Sequence, residues 1–181
     1  MNGFLNILKP PGMTSAAVVG YVRRMTGEKR VGHAGTLDPE AAGVLPILAG
    51  KATRLFDYLS LHHKEYLAEF CLGAETDTLD AEGTVTERLP WDGDRERLSG
   101  ALAAFTGAID QVPPQYSAVK LGGRKAYDLA RRGEAAEMPT RRVVIHRLEL
   151  LRVEGDRAWV RIECEKGTYV RSLCRDIARA A

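Results

Sequence analysis

The sequence predicts an α+β fold: a mixed, mainly antiparallel sheet flanked by helices. Three observations carry this. Residues 143–153 and 157–165 are two strand-like runs separated by Glu154-Gly155-Asp156, the signature of a long antiparallel hairpin. Residues 64–72 alternate, with Tyr66, Ala68, Phe70 and Leu72 on one face and Glu65, Leu67, Glu69 and Cys71 on the other. Helical spacing at 15–25 and 94–105 is interleaved with these strands, and together with the hairpin it argues against a doubly wound parallel sheet.

The elements follow in order. Residues 4–8 read as a short strand stopped by Pro10 and Pro11. Ser15 can cap a helix to about Met25, with Val18, Val19, Val22 and Met25 at helical spacing and Gly27 ending it. Residues 32–43, rich in glycine and proline, read as a loop, and 44–48 as a buried strand that Pro46 weakens. A short helix over 51–59 leads to the strand at 64–72, and 83–88 reads as another strand. The helix at 94–105 buries Leu98, Leu102 and Phe105. After 116–121, Gly122-Gly123 precedes a helix over 124–132. The hairpin follows, and 168–181 is a final helix that meets the C-terminus with no cap, glycine or polar tail, so the chain reads as stopped before its domain ends.

The chain has 181 residues, enough to bury a core without disulfides or metals, and its 45% hydrophobic and 28% charged content is that of a soluble globular protein. The net charge of +2 conceals an uneven distribution. Residues 1–60 carry 7 Lys/Arg against 4 Asp/Glu, 61–112 carry 4 against 11, and 113–181 carry 15 against 9. A basic last third of this kind suits a polyanion such as nucleic acid, or solvated surface. Cys71, Cys164 and Cys174 form no C-x-x-C pair, which argues against a disulfide framework or a cysteine zinc site and fits a reducing cytoplasm. No apolar run approaches the length of a membrane span, and the N-terminus is too short and too broken by Pro and Gly for a signal peptide.

The densest chemical signal is Gly32-His33-Ala34-Gly35-Thr36-Leu37-Asp38-Pro39-Glu40-Ala41-Ala42-Gly43. A loop with this many tight turns on a rigid scaffold can present one side chain in a fixed direction, and His33 and Asp38 are the candidates. A phosphate-loop reading of Gly50-Lys51-Ala52-Thr53 fails, because Leu45 stands where the first glycine is needed and Ala52 where Ser or Thr should follow the lysine. Neighbouring His62 and His63 would point to opposite faces of a strand, and the acidic residues at 77–94 lack calcium-loop spacing.

Five ordered segments resemble the TruB-type tRNA pseudouridine synthases. They are Asn6-Ile7-Leu8-Lys9-Pro10-Pro11-Gly12-Met13-Thr14-Ser15, the loop around Asp38, Lys64-Glu65-Tyr66 with Leu72-Gly73-Ala74-Glu75-Thr76-Asp77-Thr78-Leu79-Asp80-Ala81-Glu82-Gly83, Gln111-Val112-Pro113-Pro114-Gln115-Tyr116-Ser117-Ala118-Val119-Lys120, and Lys166-Gly167-Thr168-Tyr169-Val170-Arg171-Ser172-Leu173. The resemblance implies a pseudouridine synthase fold with a basic insertion at about 120–142, and conversion of uridine 55 in the tRNA T-loop to pseudouridine. That reaction breaks the N1–C1′ bond, turns the base and bonds C5 to C1′. It needs no redox step and no added group, so no cofactor or metal is expected. It does need a carboxylate at the glycosidic bond, and by resemblance Asp38 is that group. Attack on the sugar and attack on the base both remain open.

By the same resemblance Arg171 pairs with the catalytic carboxylate; a guanidinium in that place favours the charged form and fixes its direction. Tyr66 stacks on the target base and takes the C5 proton. His33 enters the T-loop where the flipped base leaves space, and Lys9, with Pro10, shapes the pocket and belongs to the RNA-contacting set. Lys120, Arg124, Lys125, Arg131, Arg132, Arg141 and Arg142 belong to an insertion that clamps the T-loop, with Gly122-Gly123 as its hinge. Ala34 and Ala42 stand where threonine is common in the family. The resemblance also leads to the expectation of a cytoplasmic monomer with tRNA as partner, no protein partner and no PUA domain within 1–181. Two rival readings are a T-loop binding module without turnover and a carboxylate hydrolase, the latter lacking a second placed acid.

Overall fold

A computed structural model describes residues 1–58, 63–134 and 136–181, and the chain divides into two units, Met1–Leu61 and His62–Ala181. In the first unit the order is β1 (Gly3–Lys9), α1 (Ser15–Thr26), β2 (Val31–His33), β3 (Gly43–Ala49) and a 3-10 helix, Gly50–Leu55. The strands form an antiparallel sheet in the order β1-β3-β2. Val18, Val19 and Val22 of α1 bury against Val31, Leu45, Ile47 and Ala49. Each such side chain removed from water contributes roughly 1.5–3 kcal/mol.

Several expectations shift here. The cap of α1 is Thr14, whose Oγ1 accepts from the Ala17 N–H (3.1 Å), while Ser15 is buried and engaged elsewhere. The apolar stripe ends at Val22, and Met25 is 70% exposed. Gly32 and His33, read as loop, belong to β2, and the helix read at 51–59 is the 3-10 turn; Leu59 lies outside the described residues. Pro46 is tolerated in the middle strand for a specific reason. Its carbonyl accepts from Ala34 on the β2 side (2.8 Å), just past the last β2 pair, His33↔Ile47. The N and O of a strand residue point to the same neighbour, so the missing N–H falls where β2 pairing has ended.

In the second unit the order is β4 (His63–Cys71), β5 (Ala74–Thr76), β6 (Val85–Arg88), α2 (Arg95–Ala104), β7 (Gly107–Gln111), β8 (Lys120–Leu121), β9 (Arg124–Lys125), α3 (Ala126–Ala130), β10 (Arg141–Glu154), β11 (Arg157–Glu165) and α4 (Val170–Ala180). The main sheet runs β4-β11-β10-β7, and every described pairing in it is antiparallel, as the hairpin predicts. One face is apolar: Phe70, Ile145, Val160 and Ile162 pack with Leu98 and Leu102 of α2 and Leu173 and Ile177 of α4. The other carries charge, with Arg161 between Glu65 (3.3 Å) and Glu149 (3.3 Å), and Arg147 reaching Glu149 (3.0 Å) and Glu163 (3.6 Å). This one-sided polarity is what an antiparallel sheet can support.

The region read as a hinge and helix over 124–132 has a different form. Gly122 (φ 55°) and Gly123 (φ 86°) are the two-residue turn of a β8–β9 hairpin, a geometry both glycines adopt without a Cβ clash. The helix is one short turn, Ala126–Ala130, and Arg141 and Arg142 stand on β10, in the main sheet. Gly122-Gly123 therefore closes a hairpin.

The cysteines give a simple check of this core. Cys164 is buried, and burial pushes its thiol upward; burial pushes the Cys174 thiol up to about 12. A raised thiol holds little thiolate, the reactive form, at pH 8. Iodoacetamide should therefore modify exposed Cys71 first and the other two only after unfolding, as read by mass spectrometry of peptides. Rapid native modification of Cys164 would contradict this packing.

Candidate active site

Asp38 lies half-buried in the loop between β2 and β3 of the first unit. Both of its neighbours are tied down. On one side, the buried Ser15 hydroxyl accepts from the Leu37 N–H and donates to the Leu37 carbonyl, each at 3.0 Å. On the other, the Lys9 ammonium donates to the Pro39 carbonyl (2.8 Å). The Asp38 carbonyl accepts from the Ala41 N–H (3.1 Å), closing a turn with Pro39 at its second position, where the ring's fixed φ suits it. A carboxylate carried on such a loop keeps one direction because the backbone on each side cannot rotate freely.

Lys9 is fully buried, and Nζ also donates to the carbonyls of Pro10 (2.9 Å) and Met13 (2.7 Å). An ammonium has three donors, and all are matched by carbonyl oxygens. Lys9 therefore supports the loop, with its ammonium turned to backbone carbonyls on every side. His33, the last residue of β2, places Nδ1 against the Gly35 carbonyl, which assigns the ring proton to Nδ1.

Tyr66 and Arg171 belong to the second unit. Tyr66 is on β4, paired with Ile162 of β11, and packs half-buried at the border of the apolar core. Arg171 is the second residue of α4, with its side chain 14% exposed. Its guanidinium donates to the carbonyls of Thr78 (2.8 Å) and Tyr116 (3.0 Å) and lies 3.4 Å from an Asp80 carboxylate oxygen. Two loops therefore hold one planar fork, which a lysine could not reproduce.

The loop around Asp80 is itself organised. Thr78 Oγ1 donates to Asp80 (2.6 Å), the Thr76 hydroxyl to the Asp80 carbonyl (2.7 Å), and the Thr84 N–H to Asp77 (2.8 Å). Among the described residues, Leu79 is the one non-glycine with a left-handed backbone, at φ 59°. At Gly83 a Cβ would come within 2.2 Å of Thr78 Oγ1, so only glycine closes this turn. The start of α4 is tied by Gln111, whose amide oxygen accepts from the Tyr169 N–H (2.8 Å) while its NH2 donates to the Tyr169 carbonyl (3.1 Å). Ser172 donates to the Val112 carbonyl (2.8 Å).

Ser15, Thr78, Asp80, Gln111 and Tyr116 were not among the expected site residues. All five lie inside the quoted motifs, but motif membership alone does not say which atom they hold. Ser15 read as a helix cap because Ser at that place usually is one.

The basic residues separate into groups. Lys120, Arg124, Lys125 and Arg132 line a cavity of about 410 Å³ between the β8–β9 hairpin and α3. Arg131 and Lys125 lie 5.4 and 5.3 Å from the Tyr127 ring centre, and Arg124 pairs with Glu134 (2.9 Å). Arg142 pairs with Asp110 across the sheet (3.4 Å), and Arg141 pairs in register with Gln111. Among the described residues no cluster of three or more His, Cys, Asp or Glu is placed to hold a metal ion, and no helix is long and apolar enough to cross a membrane.

Comparison with known proteins gives consistent matches. Residues 23–170 match the TruB family pseudouridylate synthase (N terminal domain). The chain is 47% identical over 181 residues to the tRNA pseudouridine synthase B of Caldanaerobacter subterraneus subsp. tengcongensis, covering 99% of this chain and 64% of that protein. To the same-named protein of Symbiobacterium thermophilum it is 50% identical over 183 residues, covering 99% of this chain and 61% of the relative. The chain thus spans 61–64% of the length of these curated relatives. Among solved structures, a chain from a Cbf5-Nop10-Gar1 complex has a TM-score of 0.72 and 32% identity, covering 98% of this chain and 44% of that one. A chain from an H/ACA RNP bound to a substrate RNA containing 2′-deoxyuridine has a TM-score of 0.68 and 29% identity, covering 98% and 42%.

Proposed function

The chain belongs to the TruB family of pseudouridylate synthases, and on that premise we propose that it isomerises uridine to pseudouridine in tRNA, at position 55 of the T-loop. The relatives named tRNA pseudouridine synthase B support tRNA as the substrate. In the proposed reaction the N1–C1′ bond breaks, the base turns within the pocket, and C5 bonds to C1′. The hydrogen on C5 leaves as a proton and N1 ends protonated, so the product is an isomer of the substrate.

Asp38 is the proposed catalytic carboxylate. The observation that carries this is the double restraint on its loop, with Ser15 holding Leu37 and Lys9 holding Pro39. A group that must act at one atom of the nucleotide has to be aimed, and a fixed backbone on both sides does this. Arg171 is proposed to pair with that carboxylate, and its anchorage by Thr78 and Tyr116 supports a positioned guanidinium. Tyr66 is proposed to stack on the uracil, an interaction worth roughly 1–3 kcal/mol per base, and to accept the C5 proton. The target nucleotide is flipped out of the loop at about a few kcal/mol, and His33 is proposed to enter the space it leaves.

The cations around the β8–β9 hairpin are proposed to grip phosphates of the T-loop. With Arg131 and Arg132 both changed to Ala, tRNA affinity should fall and its log–log salt slope should flatten by about 1.4–1.8 units. An unchanged slope in a filter-binding series from low to physiological salt would mean that these two arginines merely face solvent.

A second reading is binding of the T-loop without turnover, favoured by the chain's 61–64% coverage of those relatives. Tritium release from tRNA labelled at uridine C5 separates the two. The proposed function expects release; tRNA binding with no release supports the binding module.

A further inference from the structure

A second groove in the first unit belongs to none of the groups above. Ala16, Val19 and Arg23 recur at helical spacing on α1 and, with Val31, Gly32 and His33 of β2, line an open groove of about 410 Å³. That volume is in the range of small-ligand sites. Val19 and Val31 are buried and make an apolar floor. Arg23 is held at the wall, where one guanidinium N–H donates to the Val31 carbonyl (2.9 Å). A guanidinium has five N–H donors, so one such bond fixes its direction and leaves most of its donors for another partner.

The segment that builds this groove is mostly basic. Residues 16–37 contain Arg23, Arg24, Lys29 and Arg30 against the single carboxylate Glu28. Glu28 is engaged locally, accepting from the Arg30 N–H (3.0 Å) and pairing with the N-terminal ammonium (3.1 Å). These contacts, the Arg30 backbone hydrogen bond first, hold its carboxyl below the ordinary range. The four cations are exposed.

An apolar floor beside an anchored guanidinium, in a segment rich in exposed cations, matches a sugar with its phosphate. His33 lines the same groove and is also the residue proposed to enter the T-loop, so the groove shares one residue with the proposed RNA contacts. We propose that this groove seats a sugar–phosphate unit of the substrate RNA outside the reacting nucleotide, with the ribose over Val19 and Val31 and the phosphate on Arg23. Arg24, Lys29 and Arg30 extend the contact to neighbouring phosphates. The proposal rests on the RNA reading above.

The test is a tRNA filter-binding series across salt concentrations, using the chain as it is. Ala16 is exposed on α1, so Ala16→Trp narrows the groove from its rim without entering the core. This variant should weaken tRNA binding about tenfold. The triple variant Arg23→Gln, Lys29→Gln, Arg30→Gln should flatten the salt slope by about 2 units, from roughly 0.7–0.9 per phosphate contact. Lys51→Gln, an exposed cation outside the groove lining, is the control and should leave the slope unchanged. A thermal melt shows that each variant is folded. Wild-type affinity with Ala16→Trp together with a wild-type slope in the triple variant overturns the groove. If wild-type protein binds tRNA and releases tritium while the groove variants bind like it, the groove alone is wrong. If wild-type protein neither binds nor releases, the RNA reading fails and the groove falls with it.

Discussion

Tritium release from C5-labelled tRNA should drop by about 10⁴-fold, or to background, when Asp38 becomes Asn, the upper end of what a positioned acid or base supplies. Asparagine matches aspartate in shape, so the loop should persist. The Ala41 N–H bond to the residue-38 carbonyl, the Ser15 bonds to Leu37 and the Lys9 bond to Pro39 all involve the backbone and survive the change. The loop and tRNA affinity should therefore stay near wild type while turnover disappears, and thermal stability should fall by no more than loss of charge in the proposed Arg171 pair costs. That split distinguishes a chemical role from a structural one. Release at a tenth of the wild-type rate or more would remove Asp38 from the mechanism.

Lys9→Met should have the largest effect on stability. Methionine fills a similar volume but leaves the Pro10, Met13 and Pro39 carbonyls without their shared donor. An unsatisfied buried polar group costs about 1–3 kcal/mol, so the loss after relaxation should be about 3 kcal/mol. For a chain of this size that corresponds to a fall in Tm of about 6–12 °C. A buried ammonium carries its own desolvation cost, and replacing a whole buried ionic group with apolar side chains can be neutral. Here only the donor is removed and the three acceptors remain, which is why destabilisation is expected. Turnover should fall as well, because Pro39 loses its anchor beside Asp38. A urea midpoint equal to wild type, with an unchanged m-value, would show that the carbonyls find other partners.

Much of the fold was legible because the signals were local. The β10–β11 hairpin, the β4 alternation and the Asp94-capped α2 each come from residues within one or two turns of each other. Short elements escaped this reading. β2 has three residues and no room for a period, and Gly107–Gln111 contains one large apolar side chain, so β7 gives no alternation to follow. Gly122-Gly123 marked a change of direction correctly, but a glycine pair does not say what it joins; the pairing of Leu121 with Arg124 shows that it closes a hairpin. The cap of α1 was displaced by one residue because adjacent Thr14 and Ser15 are both good caps, and a contact with distant Leu37 draws Ser15 away.

What the sequence determined by itself is the α+β class, the family and the position of its most telling loop. Those follow from local periodicity and from the order of residues along the chain. What only the tertiary structure decided is which side chains hold that loop and its neighbours. Lys9 meets Pro39 across 30 positions, Ser15 meets Leu37 across 22, and Arg171 meets Thr78 and Tyr116 across 93 and 55. A lysine in a strand reads as a surface cation until a fold brings three carbonyls to it. The physical reason is that a polar side chain's role is set by the partners that replace its water, and those partners come together only when distant segments pack.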